Sequence, residues 1–191
     1  MIPLGPKVGA VSGGGTRIGI GRDIHRQVIG QPLVVAGVVV PSSNGGEHGP
    51  ASDALCHAVI DAVLGALALG DMGNYLPSDV AHHQEVGSMF FLGKLMSDLR
   101  TREFELINLD ANVTIGTVRL AAHLPAMRHE LARAFDCPVG RISVKARSND
   151  GLEAVGAGRA ISAEAVLLCS ASELEAPIAG REGDLDEVPD P

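Results

Sequence analysis

Residues 17–25 read RIGIGRDIH. An apolar, glycine-rich run leads into a carboxylate and an imidazole two positions apart, Asp23 and His25. In a strand, residues i and i+2 point to the same face, so a strand here aims both groups one way. Two readings fit such a pair: a solvated surface edge, or a metal edge. Outward from this stretch, residues 33–40 (LVVAGVVV) are β-branched and stopped by Pro41, which reads as a second strand. Residues 41–51 (PSSNGGEHGPA) are a loop by composition. Residues 52–69 are dominated by Ala and Leu, with Ser52 placed to cap them, and read as a helix. GDMG and the residues after it form a turn-rich exit. Helices are predicted over 86–100 and over 124–135, the latter with Pro125 in its first turn. Strands are predicted over 104–117, 141–146 and 160–169. The loose alternation of strands and helices places the chain in the α/β or α+β class, one sheet covered by helices.

The whole chain sets bounds on this reading. Its 191 residues fit one domain of ordinary size. Hydrophobic residues are 46% and charged residues 20%, enough for a sizeable core. Aromatics are only 3% and Trp is absent, so Ala, Val, Leu and Ile must build that core. Four Phe and one Tyr are too few for base stacking, and a net charge of −8 opposes phosphate neutralisation, so a nucleic-acid surface is excluded. A local basic pocket for a small phosphorylated ligand is still compatible. The three cysteines, Cys56, Cys137 and Cys169, form no CxxC and are odd in number, which fits a reducing, cytoplasmic setting. No basic region followed by an apolar run marks a signal peptide, and the longest apolar run, residues 62–69, is too short to cross a membrane. Residues 1–15 read as a flexible leader ending in glycines. Residues 172–191 are acidic, with Pro and Gly and no periodic apolar face, and read as a disordered tail. The folded unit is then 16–171.

The first helix carries SDALCHAVID. Asp53, His57 and Asp61 are four apart and share a helix face. His57 lies among Ala, Val, Leu and Cys, and a half-buried neutral His needs a hydrogen-bond partner or a metal. Asp53 or Asp61 is placed to orient it. Asp23, His25 and His57 together make a two-His, one-carboxylate set of the kind that holds zinc and leaves a fourth position open, and that suits other divalent metals too. Spacing alone leaves the bland reading standing, a D-x-H by chance and a satisfied core His.

A longer pattern bears on that choice. RIGIGRDIH, DALCHAVIDAVLGALALGDMG, NLDANVTI, HLPAMR and VKARSNDGL follow one another in this order. Over residues 16–170 the chain resembles the 2-C-methyl-D-erythritol 2,4-cyclodiphosphate synthase family of the non-mevalonate isoprenoid pathway. D-x-H and HAxxDAxLGAxALGD-x-G together are specific to that family; singly they are not. The resemblance implies an α+β fold, a single domain whose mixed β-sheet is covered by helices on one side, assembled as a homotrimer with active sites between adjacent subunits. It implies zinc on Asp23, His25 and His57, and a cytidine-diphosphate-linked substrate whose 2-phosphate attacks the β-phosphate and releases CMP. Mg²⁺ is implied at a second position, where Asp150 stands for the family's Glu. Ser148 keeps a hydroxyl for phosphate, and Arg147 adds a cation where the family has Thr. Asp71 and Gly73 match the positions that hold the methylerythritol hydroxyls, and Arg119 keeps a positive charge for the nucleotide. Asp150, Ser148 and Arg119 are thus the catalytic candidates. By residue chemistry alone SNDG is a turn and GDMG a helix exit; either can serve both ends.

The chain departs from the family in four loops. The usual H-S-D-x-D is Gly49, Pro50, Ala51, Ser52 and Asp53 here, so the phosphate-contacting His and Ser are gone, and His48, one residue early, is the candidate replacement. The usual A-Q-A-P-K-M is Ile115, Gly116, Thr117, Val118, Arg119 and Leu120. F-P-D-T-D has become Leu76, Pro77, Ser78, Asp79 and Val80. The Phe and Arg of G-F-T-G-R-G-E-G, which meet about the family's three-fold axis, are replaced within residues 153–160. Beside the ordinary cyclase, these changes leave two alternatives: a divergent homologue cyclising another cytidine-diphosphate-linked phosphate, and a non-catalytic, zinc-stabilised trimeric binding protein.

Overall fold

The structure is a computed structural model and describes residues 15–75, 87–100 and 104–171. The leader expected before residue 15, the tail after 171 and the altered loop at 76–80 lie outside the described residues. Gly15, expected in the leader, is the first residue of β1 (Gly15–Ile29).

Strand β1 alternates cleanly. Ile18, Ile20, Arg22 and Ile24 point to one face and are exposed, while Gly19, Gly21, Asp23, His25 and Gln27 point to the other. Helix α1 (Ala54–Ala66) lies across that second face. The two glycines are what let it approach. A Cβ on Gly19 would stand 1.8 Å from the Ala62 carbonyl oxygen, and one on Gly21 would stand 2.0 Å from that of Ala58. On the helix side the contact is made by small residues four apart, Ala58, Ala62 and Ala66.

Residues 33–40 are not one strand. They form a hairpin of β2 (Leu33–Val35) and β3 (Val38–Val40), paired antiparallel. The two-residue turn is Ala36 and Gly37, with φ of 47° and 75°. Left-handed conformation at both positions suits the twist of a tight hairpin. The strand reading failed because the alanine–glycine break is short and both flanks are β-branched. Likewise β4 (Asn44–Gly46) lies inside the expected loop, where it pairs with the end of β1.

A short α2 (Met72–Tyr75) follows α1, and α3 (Ser88–Arg100) follows after the undescribed gap. Then come β5 (Glu105–Ile115), α4 (Leu124–Phe135) and β6 (Ile142–Arg147), a strand–helix–strand unit with parallel strands. A one-turn α5 (Glu153–Gly156) leads into β7 (Ala160–Ala171). The main sheet has the order β4-β1-β7-β5-β6, antiparallel except between β5 and β6. The fold is therefore α+β with a mixed sheet. The helices cover one face, and the core between them is aliphatic: Leu55, Ile60, Leu64, Leu92, Leu95, Leu99, Leu109, Val113 and Leu131 are all buried. The opposite face leaves Ile18, Ile20, Ile24 and Val166 exposed.

Candidate metal centre

Helix α1 begins with a cap that fixes where His57 stands. The capping residue is Asp53, not the expected Ser52, because residues 49–52 form a separate 3-10 turn. The Asp53 side chain is fully buried and accepts three backbone N–H bonds: from Cys56 in α1 at 3.0 Å, and from Ala36 and Gly37 of the hairpin turn at 2.9 and 2.8 Å. One carboxylate thus joins the helix start to the β2–β3 turn. Burial pushes its pKa up, against those N–H bonds. The Ser52 hydroxyl instead accepts from the His48 N–H at 3.0 Å.

One turn further on, His57 faces β1. Its Nδ1 lies 2.9 Å from Asp23 Oδ2 and 2.9 Å from His25 Nε2, and His25 Nε2 is 2.8 Å from the same Asp23 oxygen. Three ligand-type atoms from two elements therefore converge on one point: Asp23, His25 and His57. Burial raises the Asp23 pKa, but hydrogen bonds and charge from His25 and His57 outweigh it and hold the carboxyl well below the usual carboxylate range. At neutral pH this is an anionic oxygen beside two imidazole nitrogens, a donor set suited to a divalent cation. The opening pair of the sequence thus sits at a metal-type edge.

Neither Asp53 nor Asp61 orients His57, contrary to the sequence expectation. Asp53 precedes the helix, at φ −80° and ψ 89°, so the shared-face argument does not apply to it. Asp61 Oδ1 accepts from the Met72 N–H at 2.7 Å and anchors the start of α2. The partner of His57 is Ser88, whose Oγ lies 2.8 Å from Nε2. Sequence reading missed it; a serine at a helix start carries no sign that it faces a histidine thirty-one residues earlier. Ser88 also borders a recess of about 340 Å³, lined by Val34, Val39, Pro50, Met89 and Phe90 with Asp53 beneath.

The other sequence candidates stand apart from the three ligands. His48 is exposed just before the 3-10 turn. Asp71 and Gly73 are exposed at α2, where Asp71 accepts from the Asn74 N–H at 2.9 Å. Arg119 is exposed in the loop after β5. Arg147 ends β6 and donates to the Ala146 carbonyl; Ser148 and Asp150 follow, both exposed, with the Asp150 N–H donating to Ser148 Oγ at 3.3 Å. Because β5 and β6 are parallel, the loops carrying Arg119 and Asp150 leave the sheet at the same end. The register puts His25 at that end too, through Ile161 to Ile115. The β1 edge and β6 are still three strand spacings apart, roughly 14 Å. The residues form two groups: a ligand cluster on the helix face of β1, and a basic and hydroxyl-bearing rim beyond β5 and β6.

The model of the YgbB family matches residues 16–170. The 2-C-methyl-D-erythritol 2,4-cyclodiphosphate synthase of Gloeobacter violaceus is 43% identical over 159 residues, 83% of this chain and 98% of that one. Among solved structures, a 2C-methyl-D-erythritol-2,4-cyclodiphosphate synthase in a CDP-bound form superposes with a TM-score of 0.72 at 32% identity, covering 80% of this chain and 99% of that chain. The bifunctional IspDF of Campylobacter jejuni superposes with a TM-score of 0.78 at 29% identity; the match covers 83% of this chain but 43% of that longer one.

Proposed function

The chain belongs to the YgbB family, and from that premise we propose that it is a 2-C-methyl-D-erythritol 2,4-cyclodiphosphate synthase. The reaction closes 4-diphosphocytidyl-2-C-methyl-D-erythritol 2-phosphate on itself. The 2-phosphate oxygen attacks the β-phosphorus, the bond from that phosphorus to the CMP oxygen breaks, and CMP leaves with the electron pair. In classification terms this is a phosphorus–oxygen lyase of cytoplasmic isoprenoid precursor synthesis. The observation that carries the reading is the convergence of Asp23, His25 and His57 within a chain that matches the family across its whole fold.

Two phosphates of like charge must meet, so the chemistry asks for positioning and charge neutralisation rather than a protein nucleophile. A zinc ion held by Asp23, His25 and His57 would polarise a phosphate oxygen. Arg119 and Arg147 supply fixed positive charge for the diphosphate, and the Ser148 hydroxyl donates to a phosphate oxygen. Asp150 is the carboxylate that would hold Mg²⁺; it is one methylene shorter than the family's Glu, so the backbone would have to move closer or a water would have to intervene. Asp71 and the backbone at Gly73 receive the methylerythritol hydroxyls, and His48 stands at the phosphate loop where Gly49 and Pro50 offer no side-chain donor.

The separation of ligand cluster and rim fits a homotrimer in which one subunit supplies the metal ligands and its neighbour the cytidine pocket. The exposed isoleucines of β1 supply an apolar face for that assembly. The direct test is CMP release from the cytidine-diphosphate substrate with zinc and magnesium, with Asp23→Ala alongside. The expected result is CMP from the parent chain and a loss of at least about 100-fold in the variant. No CMP from a folded, zinc-loaded parent would overturn the assignment.

A further inference from the structure

Ser88 is the most deeply buried hydroxyl at the ligand cluster, 2% exposed, and its two contacts fix each other's direction. Its Oγ lies 3.3 Å from the Pro50 carbonyl oxygen and 2.8 Å from His57 Nε2. A carbonyl only accepts, so the single hydroxyl hydrogen goes to Pro50. The serine oxygen is then left as an acceptor for a hydrogen on His57 Nε2. That leaves Nδ1, which points at Asp23 and His25, as the ring atom that a cation would take in place of its contact with Asp23. We infer that Ser88 is the positioning residue of the metal centre: it sets the tautomer and ring angle of His57 so that Nδ1 is presented to a divalent cation. Its partner being a backbone carbonyl, the device survives the replacement of the side chains in this loop by Gly49 and Pro50. It also ties three segments to one ring: α1 through His57, α3 through Ser88, and the 3-10 turn through Pro50.

The inference rests on the metal reading of Asp23, His25 and His57, and the experiment separates the two. Zn²⁺ affinity of the full-length protein is measured by chelator competition for the parent, Ser88→Ala, Ser88→Thr and Ser88→Val. The Co²⁺ absorption spectrum and the melting temperature of each metal-free protein are recorded in parallel. Thr and Val have nearly the same shape, so their difference isolates the hydroxyl. The expected result is a Zn²⁺ affinity weakened roughly 10–100-fold in Ser88→Ala and Ser88→Val. Ser88→Thr should return to near the parent value, with an altered Co²⁺ spectrum only in the two variants lacking the hydroxyl. Equal affinity in parent and Ser88→Ala, or in Ser88→Thr and Ser88→Val, would overturn the role of Ser88 while leaving the metal centre standing. A parent that binds no Zn²⁺ would overturn both.

Discussion

Asp53 shows how much one side chain can settle. It is a charged residue with no exposed surface, and every bond it makes goes to backbone N–H groups. Two of these belong to the β2–β3 turn and one to the first turn of α1. Replacing it with Ala would take this partner from the exposed Gly37 N–H and leave two buried donors, those of Ala36 and Cys56, without it. Each costs about 1–3 kcal/mol, and the cap itself is part of that sum. Asp53→Ala is expected to lower stability by about 3 kcal/mol or more, read as a shift of the denaturant midpoint. Asp53→Asn, which keeps an acceptor oxygen, should lose less. The expected ordering is parent, then Asn, then Ala, and an Ala variant as stable as the parent would show that water replaces the carboxylate. His57 is one turn from this cap, so zinc affinity is expected to fall along with stability.

Between elements, the close packing of α1 on β1 sets the geometry of the proposed metal centre. Gly21 is two residues before Asp23, and Ala58 is next to His57. A methyl group on Gly21 would collide with the Ala58 carbonyl oxygen at 2.0 Å, a backbone atom held by the helix. Relief needs the helix to move away from the strand, which separates His57 from Asp23 and His25. Gly21→Ala is therefore expected to weaken Zn²⁺ binding at least about tenfold as well as to destabilise the fold by several kcal/mol, about 1–3 for overpacking with more where backbone must shift. Gly15→Ala, where a Cβ meets nothing, is the matched control. This pairing of glycines with alanines was partly legible in the sequence: RIGIGRDIH and the alanine-rich helix were both identified, and so were α4 and the β5, β6 and β7 strands to within a few residues. What escaped was set by contacts distant in sequence. The β2–β3 turn is held by the Asp53 carboxylate, β4 pairs with β1 because β1 runs on to Ile29, and α2 and α5 are too short to carry a period. Asp23 and His25 share a strand face, but spacing left the bland reading standing beside them; it was the family resemblance that joined them to His57 as a ligand set. Ser88 could not be named, because its place depends on how α3 returns to α1.

At the scale of the molecule, the sheet has one face too many for a lone chain. Ile18 and Ile20 are 70% and 74% exposed, and they pair across β1–β7 with Leu168 and Val166. Covering an isoleucine is worth about 1.5–3 kcal/mol, so a stripe of them is a strong drive to associate. The same step would bring the rim of one subunit toward the ligands of another, closing the roughly 14 Å gap set by the strand order. Ile20→Lys tests both halves of this idea. Its side chain points away from α1, so the fold and the three ligands should be kept, and one Zn²⁺ should still bind per chain. Three lysines facing one another across a closed interface should shift the protein to monomer in sedimentation velocity. CMP release should then fall to background even though each chain is folded and loaded with metal. A monomer of full activity would place the whole site on one chain. A trimer unaffected by the lysine would move the interface to another surface. Complementation sharpens the result: Asp23→Ala chains lack a proposed metal ligand and Arg119→Ala chains lack the proposed nucleotide cation, and each alone should be inactive. Unfolded together and reassembled, they should recover part of the parent rate, because some interfaces then pair an intact ligand cluster with an intact rim. Recovery needs a site shared between subunits, since no chain in the mixture carries both halves.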